Sequence, residues 1–154
     1  MSQITTRSTN SSQTTTDYDR SKLALGGNYY RPYTVINLDG GAELTLVKGT
    51  VMGVITAAGA NAGKLVPFDS TNADGSQVPV MVCNSDRTLA ASAEATVSMI
   101  VDGEVDESLL VFANDPTDGL DINIDTVGTP RNLIMANSAG IKPLYVEDPT
   151  YYDN

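Results

Sequence analysis

The chain has 154 residues and is 41% hydrophobic, which suits one domain with tails, and with no Trp and two Phe its core must be built from Val, Ile, Leu, Met and Ala. Its net charge of -10 is uneven, since residues 1–31 hold four basic against two acidic side chains and the remainder five against seventeen. An acidic body repels phosphates and excludes nucleic acid as a direct partner, no apolar run reaches a membrane span, and a single cysteine, Cys83, excludes an internal disulfide and suits synthesis in a reducing cytoplasm.

Residues 1–20 contain ten Ser or Thr and almost nothing apolar. Such a segment cannot bury enough surface to offset its ordering entropy alone, so an extended arm is expected, and Met1 to Thr5 lack the apolar stretch of an export signal. Residues 23–33 then bring two leucines, a Gly-Gly pair and three tyrosines. From Thr34 the pattern is strand-like: Val35 to Leu38 run into Asp39-Gly40-Gly41, and Ala42, Leu44 and Leu46 alternate with polar residues, which predicts a hairpin.

Thr50 to Thr56 is apolar on both faces with Gly53 in its middle, a buried strand closely approached by another backbone. Ala57 to Gly63 is a small-residue loop, Leu65 to Phe68 a short strand or edge, and Asp69 to Ser76 a turn cluster around Asp74-Gly75. In the next strand Val78, Val80 and Val82 share one face and Pro79, Met81 and Cys83 the other. Ala95, Val97, Met99 and Val101 alternate with Thr96, Ser98 and Asp102, predicting a strand that ends at Asp102-Gly103.

Asp106 is placed to cap a short helix over 107–113. Leu120, Ile122 and Ile124 suggest a further strand or acidic edge. Thr129-Pro130 and Gly140 bracket a second helix over Arg131 to Ala139 with Leu133, Ile134 and Ala136 on its apolar side. Ile141 to Val146 reads as the last strand, before the acidic tail 147–154.

No enzymatic motif emerges. The absence of histidine removes Ser-His-Asp and Cys-His catalysis and most zinc sites. The Gly59 to Lys64 segment lacks the order of a phosphate loop, and Cys83 sits on an apolar strand without a base. Asp115, Asp118, Asp121 and Asp125 do not follow a calcium-loop order and read as a solvated acidic face, with weak calcium binding left open. Glu43, Glu94, Glu104 and Asp102 show no spacing that predicts a facing acid–base pair. No cofactor is expected. Tyr29, Tyr30, Tyr33, Tyr151 and Tyr152, with Ile4, Leu23 and Leu25, are the candidate contact residues, because aromatic rings with polar tips are enriched at interfaces; Tyr33 alternatively belongs to the core.

The segments 48–56, 65–69, 74–82 and 97–105, with 109–112, 133–139 and Gly140-Ile141 after them, together resemble the head decoration, or capsid-stabilising, proteins of tailed phages. The resemblance spans about Ala42 to Val146. It implies an α+β, mainly β domain, β-tulip-like, with two short helices: a capsid-docking arm at 1–33, the domain at 34–146 and a tyrosine-bearing tail at 147–154. It also implies a non-enzymatic virion protein, a homotrimer on the outer surface of the expanded head, with the major capsid protein as its partner and an arm that pairs with a capsid strand. From the residues alone, a glycan- or receptor-binding phage fibre or adhesin domain remains the alternative.

Overall fold

A computed structural model describes residues 22–113, 119–122 and 128–146. Within them the chain forms β1 (Ala24–Ile36), β2 (Leu44–Leu46), β3 (Val51–Val54), β4 (Leu65–Pro67), β5 (Pro79–Cys83), β6 (Arg87–Leu89), β7 (Glu94–Asp106), a 3-10 turn (Glu107–Leu109), α1 (Pro130–Asn137) and β8 (Ile141–Leu144). The fold is mainly β, as its composition requires.

The strands β1, β4, β3, β5 and β7 are hydrogen-bonded in that order, and β7 returns to β1, closing a small barrel-like core. Val35 is the joint: it pairs in parallel with Leu65 on one side and antiparallel with Ala95 on the other. β8 adds to β7 in parallel, from Gly103 beside Ile141 to Asp106 beside Leu144. β2 and β6 form a separate two-stranded ribbon.

Neighbouring residues feed two different cores because strand side chains alternate between faces. Val35, Met52, Leu65, Cys83, Val97, Met99 and Val101 fill the barrel with Leu46 and Leu89 from the ribbon. Val51, Val82 and Ile100, each next to one of those residues, point the other way. They meet Leu23, Phe68, Val105, Ile134 and Ile141 in a second cluster, where Phe68 and Phe112 pack edge to face at 6.0 Å. β3, β5 and β7 are thus a wall with apolar packing on both sides.

Gly53 allows the close approach that its position in an apolar strand implies: a Cβ there would run into the Ser76 carbonyl. The turn that delivers Ser76 is fastened by Asp74, which accepts from the Ser76 backbone N–H (3.0 Å) and hydroxyl (2.5 Å).

Several expectations are corrected. Residues 35–46 make no hairpin, because β1 pairs with β7 and β4 while β2 pairs with β6. The intervening loop is held by side chains: Asp39 accepts from Gly41 N and Ala42 N, and the buried Asn37 amide donates to the carbonyls of Ala42 and Ala90. Of the two readings of 65–68, the short strand holds as β4 and the edge does not, since β1 and β3 flank it. In β5 Val82 and Cys83 face opposite clusters as the alternation requires, but Val80 and Met81 both pack toward the barrel, next to an irregular register where Pro79 pairs with Gly53.

β7 does not end at Asp102-Gly103 but runs on to Asp106. Gly103 takes φ +98° inside the strand, and a Cβ on it would lie 2.7 Å from the Asn28 backbone. Left-handed backbone within a strand marks a bulge rather than an end, and β1 shifts register opposite it, between Gly26 and Tyr30. Asn28 stitches this site by donating to the carbonyls of Asp102 (3.3 Å) and Glu104 (3.0 Å).

The expected helix over 107–113 is a single 3-10 turn. Asp106 caps it through Ser108 N at 2.9 Å, but Leu110 is extended and Val111 exchanges backbone hydrogen bonds with Gly49 and Val51. The second helix forms under its Thr129 cap and first-turn Pro130 and ends at Asn137. Of its expected apolar side Ile134 is buried and Leu133 half-buried, whereas Ala136 is exposed. Ser138 takes over the chain reversal by accepting from Gly140 N and Ile141 N. Of the strand or acidic edge expected at 120–124, Leu120 and Asp121 lie in a turn, and Ile124 falls outside the described residues.

Candidate interaction surface

β1 changes character along its length. Val35 and Ile36 are buried, while the stretch from Ala24 to Thr34 pairs with β7 alone, its other edge unpaired among the described residues. The sheet therefore takes in residues 24–33, whose composition places them with the arm. Along this half the side chains fall alternately on two grooves.

Tyr29, Arg31 and Tyr33 line the first groove, about 440 Å³, with Val80, Met81 and Val101 opposite and Asn137 to Ala139 at its rim. Tyr33 packs against the barrel core, and Tyr29 is 63% exposed. Leu25 and Tyr30 line the second groove with Lys22, Lys48 and Asn84. Leu23 is buried in the outer cluster and also reaches a third groove, formed with Lys48 and Ser108 to Val111. The candidate contact residues thus fall into two sets, Tyr29 with Tyr33 and Leu25 with Tyr30. Ile4, Tyr151 and Tyr152 lie outside the described residues.

Several of the groups that chemistry would need are engaged in structure. Cys83 is fully buried and its thiol donates to the Ser85 carbonyl; burial pushes its pKa up, away from the thiolate a nucleophile needs. Glu94 pairs with Lys64, which also donates to Asn61. Asp102 accepts from Gly103 N at 2.7 Å. Asp121 forks onto Arg131, with Nε at 2.7 Å and Nη2 at 2.9 Å, and the same guanidinium reaches Glu107 at 2.6 Å. Those bonds hold the Asp121 carboxyl below its usual range and raise the Arg131 pKa. Asp115, Asp118 and Asp125 lie outside the described residues, among which no group of three metal-ligating side chains occurs. No described helix is long and apolar enough to cross a membrane.

A barrel with one open-edged, tyrosine-bearing strand is an architecture for contact, and the family comparison says of what kind. The family described as Bacteriophage lambda head decoration protein D matches residues 12–125, well over half of the chain. The chain belongs to this head decoration protein family. Its place is therefore the phage virion, on the capsid, as a structural protein. No curated protein and no solved structure matches it. The match covers the barrel strands and the 3-10 turn and stops short of α1 and β8.

Composition and motif did not single out every exposed apolar side chain of this decoration protein. Tyr145 is 71% exposed and Leu144 39%, both at the end of β8, and Leu38, Val47 and Met135 are also exposed. Period-2 alternation signals Leu144, because Ile141 and Pro143 are buried and Lys142 and Leu144 are not, but it would place Tyr145 on the buried face.

Proposed function

We propose that the chain is a cement protein which binds the outer surface of the expanded phage head as a homotrimer and stabilises it by bridging subunits of the major capsid protein. The family match over residues 12–125 carries this reading. The docking element is the arm, residues 1–33, whose segment 24–33 roots it in the sheet. An unpaired strand edge binds an extended partner through backbone groups without needing an apolar sequence, and β1 offers such an edge beside Tyr29 and Tyr30.

The 23 residues before β1 span on the order of 75 Å when extended, enough to reach a neighbouring capsid subunit. Three arms on one trimer sum individually weak contacts into slow dissociation. Binding the expanded lattice and not its precursor stabilises the expanded state by linkage.

Removal of residues 1–21 is expected to preserve the fold, read as an unchanged melting temperature, and to weaken binding to expanded heads by at least about tenfold. Unchanged affinity in a capsid titration would refute the arm as the docking element. Light scattering of the free protein and of the protein eluted from heads is expected to give a trimer in at least the bound form.

A further inference from the structure

We propose that the second and third grooves form one docking channel for an acidic, aromatic-bearing peptide, and that its occupant is the chain's own tail, residues 147–154. The grooves hold about 390 and 350 Å³ and share Lys48. Together they run from Tyr30 and Leu25 past Lys22 and Lys48 to Leu109 and Leu110. In a chain with 19 acidic against 9 basic side chains, no carboxylate lines either groove among the described residues. Neither lysine has an ion-pair partner among the described residues.

The tail has the complementary composition. Glu147-Asp148-Pro149-Thr150-Tyr151-Tyr152-Asp153-Asn154 carries three carboxylate side chains, no base and two tyrosines. Carboxylates suit the lysines, and tyrosine rings suit the apolar wall of Leu23, Leu109 and Leu110.

Chain direction brings the tail to this channel and away from the groove of Tyr29 and Tyr33. β8 runs parallel to β7 and ends with Leu144 beside Asp106. Asp106 N donates to the Leu23 carbonyl at 2.9 Å, and Ser108 and Leu109, two and three residues on, line the third groove. With strands about 4.8 Å apart, Leu144 and Leu23 are separated by roughly 10 Å across β7. Eight residues reach roughly 25 Å, so the whole channel is accessible. Tethering keeps the tail at an effective concentration near millimolar, which populates contacts too weak to hold a free peptide.

The test is zero-length carbodiimide coupling of carboxylates to amines in the full-length free protein, mapped by mass spectrometry on a mixture of light and 15N-labelled chains. The Lys64 Nζ–Glu94 ion pair places an amine against a carboxylate, so a Lys64–Glu94 product serves as the internal control. Products joining Lys48 or Lys22 to Glu147, Asp148 or Asp153 within one isotopic chain are expected. Lys48→Glu, at an exposed site, is expected to keep the melting temperature, lose the tail product at residue 48 and speed chymotryptic cleavage at Tyr151 and Tyr152 several-fold. Tail products only between chains, no tail product beside a positive control, or cleavage unchanged in the variant would each overturn the proposal. The readouts use the protein without capsids, so they stand or fall separately from head binding.

Discussion

The two halves of β1 belong to one strand and have opposite roles. Val35 is held from both sides, with Leu65 and Ala95 flanking it in the closed barrel, and Ile36 beside it is buried, whereas Tyr29 and Tyr30 sit on the half paired only with β7 and are 63% and 47% exposed. Pairing on both edges makes a strand part of the core; pairing on one edge leaves backbone groups and aromatic rings for a partner. One strand thus joins the stable body to its contact surface.

Breaking the closed half should cost most. Leu65→Ala removes a fully buried side chain opposite Val35 and is expected to destabilise by about 2–5 kcal/mol, read as a drop in the urea midpoint. Loss of head binding in that variant should follow only from loss of fold. The bulge between the halves comes next: Asn28→Ala leaves the carbonyls of Asp102 and Glu104 without their side-chain donor. It should cost about 1–3 kcal/mol and raise hydrogen exchange in β1 before Tyr30 while leaving Val35 protected.

The open half should respond in affinity and not in stability. Tyr29→Ser and Tyr30→Ser are each expected to shift folding stability by less than about 0.5 kcal/mol while weakening binding to expanded heads by about tenfold. Equal losses of stability and affinity would erase the distinction between the halves.

The barrel strands were legible because alternation is a local signal: Val97, Met99 and Val101 point inward on the strand where the sequence puts them. Partner choice was not. Asp39-Gly40-Gly41 has the composition of a hairpin turn, yet β1 pairs with residues some sixty positions away, as Val35 with Ala95, and no local pattern encodes that. Asp102-Gly103 illustrates the same limit, since a stop signal and a bulge use the same residues, and only β1 across the ladder decides between them. The 107–113 helix failed because Val111 finds backbone partners in Gly49 and Val51, a tertiary contact that outweighs local propensity. For the contact surface, the tyrosines were visible as a group, but their division between two grooves required the register of β1. Tyr145 carried no such signal, because the alternation of β8 continued one residue further would bury it.

The smallest expected effect is electrostatic and lies away from β1, where it serves as a control for the comparison. Asp121, held down by Arg131, and Asp74, held down first by the Ser76 hydroxyl, both have carboxyls below their usual range. Depressed carboxylates contribute stability above the unfolded-state pKa, near about 3.9, and lose it as pH falls through the lower folded values. Arg131→Gln should therefore flatten the acid side of the stability curve slightly without altering head binding at neutral pH.

The most direct measurement is a titration of the full-length protein onto expanded and unexpanded phage heads in parallel. Saturable binding to expanded heads in multiples of three copies per site, with none to unexpanded heads, is the expected result. Equal binding to both, or binding to neither, would contradict the account.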